Sequence, residues 1–325
     1  MLKLPNFKRI ERYFLEHRVA LQILAWSKRR SLPGFAGVPV FDVAVFLSNE
    51  IRRFDLFTRA NSIAFSFFLA LFPSIIVLIT LIPYLIGYFT PDIREFNAYL
   101  QTEITRVLPG NAGRMLFTTI EDLATKQRGD LLSFSFLLAI LFASNGMLSL
   151  MRGFDKTYES TFRKRGYFER RSIAIGLTLL LGVLLIVSVV LVILGNQIIA
   201  WLSNYIHFDW FSRFSLTLLS WLTTLILYYS VISIIYRYGP ATHRKFSYFS
   251  PGTNISVFLS IFISLLFSFY IDNFGTYNKL YGSIGTIIVL MLWIQLNALV
   301  LLVGFELNVS IAVNRDLKVQ MNDKL

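Results

Sequence analysis

Six stretches of this chain, 62–89, 131–151, 172–202, 214–236, 254–271 and 283–313, contain no Lys or Arg and together hold a single acid. An α-helix rises 1.5 Å per residue, so about 20 apolar residues cross the ~30 Å hydrocarbon core of a bilayer. Inside that core the backbone must satisfy its own hydrogen bonds, which leaves helices and closed barrels. Barrel strands would show strict alternation over about ten residues; these continuous runs lack it. The expected fold is an all-α integral membrane protein with six transmembrane helices. Composition agrees: 55% of residues are hydrophobic and only 15% are charged, against roughly 25% charged in soluble domains.

The charges left over are distributed unevenly between the spans. Residues 1–61 carry eleven Lys/Arg, the 152–171 loop seven, the 237–253 loop three and the 314–325 tail three. The alternate loops 90–130, 203–213 and 272–282 hold five, one and one, so 24 basic residues face seven. Lys and Arg are retained on the cytoplasmic face during insertion, which predicts that both termini are cytoplasmic. The net charge of +12 is then a topology signature. Membrane lipids, including anionic headgroups at the cytoplasmic face, are the expected partners, and nucleic acid is not. The basic first 60 residues show no apolar core ahead of a small-residue cleavage site, so insertion through the first span is expected.

Catalytic chemistry finds little to work with. The chain has no cysteine and three histidines, His17, His207 and His243, none in an H-x-H or H-x-x-x-H pairing. Metal-assisted phosphodiester hydrolysis needs clustered ligands or a positioned acid and base. No G-x-x-x-x-G-K-[ST] loop occurs either. No enzyme activity, cofactor or metal is expected.

Three segments follow: a basic cytoplasmic segment over 1–61, a membrane domain over 62–313 with an extracytoplasmic cap at 90–130, and a cytoplasmic tail over 314–325. Pro33, Gly34, Gly37 and Pro39 break the first segment. Beyond them Val40, Ala44, Leu47, Ile51 and Phe54 share one helical face, with Glu50, Arg52 and Arg53 elsewhere. That pattern predicts an amphipathic helix lying in the membrane interface. Pro73 should kink the first span. The 272–285 turn, with Tyr270, Tyr277, Tyr281, Trp201 and Trp210, suits an outer aromatic belt.

Within the spans, polar residues are few enough to weigh singly. Ser256, Ser260, Ser264 and Ser268 recur every four residues of the fifth span, and Ser135, Ala139 and Ala143 repeat that spacing in the second, beside Gly146. Small residues let helices approach closely in lipid, so both stripes read first as packing faces, with a hydroxyl-lined pathway as the alternative for the fifth span. Glu306 is the single acid in the six spans. An ionisable group in hydrocarbon is costly and marks a candidate site. It lies about 35 Å by helical rise from Ser283, near the cytoplasmic boundary, where Arg152 or Arg237 would pair with it. With Asn308, Asn145, Arg152 and Asn254 it outlines a candidate polar vestibule. Gln295 and Asn297 add a candidate polar face, as a central helix would carry.

Three quoted stretches carry a family resemblance: "ASNGMLSLMRGFDKTY" (143–158), "IYRYGPATHRKFSYFSPG" (235–252) and "NFGTYNKLYGSIGTIIVLMLWIQLNALVLLVGFELN" (273–308). Over roughly residues 40–313 the chain resembles the YihY/BrkB family of bacterial inner-membrane proteins, some once labelled ribonuclease BN. The resemblance implies six spans, cytoplasmic termini and the bacterial inner membrane, with no settled biochemical activity. It supplies no set of functional residues. Movement of a lipid-like or amphiphilic solute is the leading expectation; a non-transporting envelope scaffold and a channel-like pore are the alternatives.

Overall fold

The computed structural model describes residues 18–53, 55–89, 129–203, 210–273 and 283–322. Among them are eight helices: α1 (Arg18–Arg29), α2 (Val40–Arg53), α3 (Leu56–Phe89), α4 (Gly129–Gly153), α5 (Tyr167–Ser203), α6 (Trp210–Tyr238), α7 (Pro251–Asn273) and α8 (Ser283–Asn322). The expected cap, the turn between the last two spans and the extreme N-terminus lie outside the described residues, as do the side chains of the aromatic-belt candidates.

Among the described residues, five helical stretches are long and apolar enough to cross a membrane: Leu56–Val77, Ser133–Gly153, Tyr167–Ser188, Pro251–Phe269 and Ile288–Gln320. The fourth expected span falls on α6, whose described apolar stretch is the shorter Leu225–Tyr238. Helix ends are set by local chemistry. Asp55 caps α3, accepting the Thr58 N–H at 3.1 Å. Ser250 caps α7, where Pro251 occupies the first helical position, which leaves no wasted donor. At the far end of α6 the Arg165 guanidinium takes up orphan carbonyls, Gly239 O at 2.7 Å and Pro240 O at 2.9 Å. Burial, with Arg163 nearby, pulls that guanidinium below its ordinary pKa. Helix α3 runs on through Pro73 without interruption.

Packing joins α3 to α4, α4 to α5, α5 to α6, α6 to α7, α7 to α8 and α8 back to α3, a closed ring of six. Among the described residues its core lies beside the 154–166 and 239–250 loops, around Phe154, Tyr236, Leu302 and Phe305. The Phe154 ring lies 4.3 Å from Phe305 and 5.9 Å from Tyr236. Those two loops are stitched together by Arg163 N–H to Ala241 O at 2.7 Å and His243 N–H to Thr161 O at 3.0 Å.

Glycine permits the tightest contacts. A Cβ on Gly304 of α8 would fall 1.8 Å from Ser256 Oγ, and one on Gly252 of α7 would fall 2.1 Å from Gly304 O. A Cβ on Gly146 of α4 would meet the Phe67 ring of α3 at 2.9 Å. Ser256 of the α7 stripe therefore lies where α7 and α8 touch, and Gly146 lies where α4 meets α3.

Helix α2 does not stand apart from this ring. Phe35, Val38 and Val43 bury themselves against Leu307 and Ile311 of α8. The buried positions of α2 are Val43 and Glu50, with Leu47 partly covered, whereas Ala44 and Ile51 are exposed. The covered face is thus rotated from the one expected, and it includes the acid assigned to the other side.

Candidate functional site

Burying Glu50 requires a partner, and the loop after α4 delivers one. Lys156, three residues past the end of α4, donates to Glu50 Oε2 at 2.7 Å and to Glu306 Oε1 at 2.6 Å. Side-chain exposure is 0% for Lys156 and Glu306 and 3% for Glu50. The Tyr158 hydroxyl donates to the other Glu50 oxygen, Oε1. Its ring lies 5.5 Å from Phe46, which helps to seat α2. Arg59 of α3 donates to Gly153 O at 3.0 Å, fixing where the loop leaves α4. Three segments far apart in sequence thus meet at one ammonium. Removing water from such charges costs several kcal/mol per ion, which only close pairing offsets.

Glu306 is held on one side only. Its Oε2 is buried and has no hydrogen-bond partner. Glu50, by contrast, has both oxygens bonded.

The expected vestibule residues divide. Asn308 is 3% exposed and serves the α7 terminus: its Oδ1 accepts the Gly252 N–H at 2.9 Å and its Nδ2 donates to Ser250 Oγ at 2.9 Å. Arg152, expected to pair with Glu306, is exposed, and Lys156 takes that place. Arg237 instead donates to Phe246 O at 2.9 Å. Asn145 is exposed and accepts from Arg171 at 2.6 Å; Asn254 is exposed and accepts from the Tyr229 hydroxyl at 2.6 Å. Asn297 returns to its own helix at Trp293 O, 2.9 Å, and Gln295 is partly buried. In the serine stripe Ser256 and Ser260 are buried, Ser264 is partly buried and Ser268 is exposed. Ser256 shares a hydrogen bond with the Tyr236 hydroxyl, and Trp293 Nε1 donates to Ser264 at 3.3 Å.

One turn from the buried cluster a crevice of about 470 Å³ opens between the α2–α3 junction and α8. Leu56, Phe57, Leu299 and Val303 supply apolar wall, and Arg52 and Asp55 supply charge. Leu299, Val303 and Glu306 follow at steps of four and three, so they share one face of α8. Among the described residues no group of three or more His, Asp or Glu could hold a metal ion.

A ring of long apolar helices tied at one end by a buried ion-paired cluster defines a multi-helix integral membrane protein. Residues 47–324 match the family described as Virulence factor BrkB, and the chain belongs to that family. Among its relatives, the ribonuclease-like protein YfkH of Bacillus subtilis is 28% identical over 266 residues, 81% of this chain and 94% of YfkH. The UPF0761 membrane protein IL2447 of Idiomarina loihiensis is 34% identical over 91 residues, 28% of this chain and 32% of its own. A UPF0761 membrane protein of Tolumonas auensis is 25% identical over 189 residues, 57% of this chain and 60% of its own. No solved structure matches.

Proposed function

We propose that this protein eases the passage of a lipid-like, amphiphilic molecule across the bacterial inner membrane, through a six-span bundle with both termini cytoplasmic. The observation that carries the reading is the crevice beside α8. Apolar walls from Leu299, Val303 and Phe57 stand next to the charges of Arg52 and Asp55. An amphiphile needs that combination, acyl chain against the wall and head among the charges. The 24-to-seven bias of basic residues supports the orientation, and the α6 helix supports a sixth span.

Hydrolysis is not part of the proposal. The name ribonuclease-like belongs to YfkH, and the three histidines here fall in no metal-binding spacing.

Reconstitution tests it. Purified protein in liposomes carrying fluorescent phospholipids should speed the loss of inner-leaflet protection from a membrane-impermeant quencher. Val303→Trp, which fills the crevice, should slow that loss severalfold. Equal rates in protein-free and protein-containing liposomes would sink the transport reading and favour an envelope scaffold. Conduction of small ions without lipid movement would favour a pore.

A further inference from the structure

We infer that Glu306 holds an exchangeable proton at Oε2, so that the buried cluster is a proton-binding site. The site is independent of the amphiphile reading and stands on geometry alone. Glu50 and Glu306 share one ammonium, that of Lys156, at 2.7 and 2.6 Å. All three side chains are at most 3% exposed. Two carboxylates in one water-poor site share the Lys156 ammonium as their directly bonded cation among the described residues, so one positive charge faces two negative ones at contact distance. An isolated buried charge is far more costly than a buried neutral acid. Neighbouring carboxylates relieve this by keeping one proton between them.

The bonding pattern says which one. Glu50 is satisfied as an anion at both oxygens, by Lys156 and by the Tyr158 hydroxyl. Glu306 is bonded at Oε1 and bare at Oε2. The proton therefore sits on Glu306 Oε2. Arg59 of α3 adds a longer-range positive charge, and its guanidinium donates to Gly153 O. Among the described residues, the ionisable groups around Glu306 are Glu50 from α2, Arg59 from α3, and Lys156 and Tyr158 from the 154–166 loop.

A metal ion fits less well. Hard cations take six or more oxygen ligands, no acidic or histidine group of three exists among the described residues, and the Lys156 ammonium already occupies the sister oxygen. A proton needs no coordination shell. On uptake or release it changes how firmly Glu306 grips Lys156, and through Lys156 how firmly α2 is held to α8.

Infrared difference spectroscopy on the full-length protein in lipid nanodiscs reads the proton directly. At neutral pH the wild type should show a carboxylic-acid C=O band that shifts in D2O. The band should be lost in Glu306→Gln and kept in Asp316→Asn. Glutamine is a neutral isostere of the protonated acid, so Glu306→Gln should unfold at the wild-type temperature, while Glu50→Gln should unfold lower. Absence of the band in wild type means an ionised Glu306, with ordered water at Oε2, and overturns the inference. So does a band that survives Glu306→Gln, or a Glu306→Gln protein that does not fold. The reverse order of unfolding temperatures would put the proton on Glu50 and overturn the assignment.

Discussion

The ammonium of Lys156 lies 2.6 Å from Oε1 of Glu306, and neither side chain reaches solvent. Lys156→Met leaves the buried Glu50 carboxylate without its cation, and breaking a buried pair from one side costs about 3–5 kcal/mol. Arg152→Gln alters an exposed side chain and should stay within about 0.5 kcal/mol. Thermal unfolding in detergent separates the two. A larger loss for Arg152→Gln would return Arg152 to the role read from sequence. Adding Glu50→Gln to Lys156→Met should restore part of the loss, since one uncompensated charge is then gone.

Close approach of α7 to α8 makes the second expectation. Gly304→Ala drives a Cβ to 1.8 Å from Ser256 Oγ and 2.7 Å from Gly252 O, and overpacking costs roughly 1–3 kcal/mol. Ser256→Gly in the same chain should recover only part of it, because the Gly252 carbonyl still blocks. In the serine stripe, Ser260→Leu should destabilise and Ser268→Leu should not, following their burial. Equal melting of those two variants would remove the packing reading of the stripe.

Asp55 supplies a pH dependence. The Thr58 hydroxyl and N–H bonded to its carboxylate hold the Asp55 pKa below its ordinary value. A carboxyl depressed in the folded state contributes stability above its unfolded pKa, about 4, and loses it as pH falls through the folded value. Asp55→Ala should therefore melt below wild type at neutral pH, and the gap should close under strongly acidic conditions. A gap independent of pH would mean the carboxylate charge is not what caps α3.

Orientation has a clean test because the chain has no cysteine. Single cysteines at Ser160 and Asn111 would be exposed, in whole cells, to an impermeant maleimide. Asn111→Cys should label and Ser160→Cys should not. Labelling at Ser160→Cys would invert the topology drawn from basic residues.

Helix existence was legible because hydrocarbon imposes a length and excludes charge, and both marks are local. The starts were less so: α3 begins at Leu56, before Arg59, because Asp55 caps it and an arginine is tolerated where it reaches Gly153 O. Glu306 was legible as a candidate because it is the single acid in an apolar span. Its partner was not. Arg152 directly follows the second expected span, yet α4 turns its side chain outward, and Lys156 enters only because the helix ends at Gly153 and the chain folds back. Glu50 follows Val43 by seven residues, the helical repeat, so its buried face was present in the spacing. Reading acids as solvent-facing concealed it.

The contact between Lys156 and Glu306 spans 150 residues of chain. A ribosome adding about 5–20 residues per second needs roughly 8–30 s to travel that distance. During that interval Lys156 and Glu50 exist without the helix that buries them, and they must wait at the water-facing end of a partly inserted bundle. Closure of the cluster is thus a late event of biogenesis, open only to a chain whose final helix has arrived. A nascent protein stalled before Glu306 also lacks Leu307 and Ile311, so its α2 has no surface to dock against.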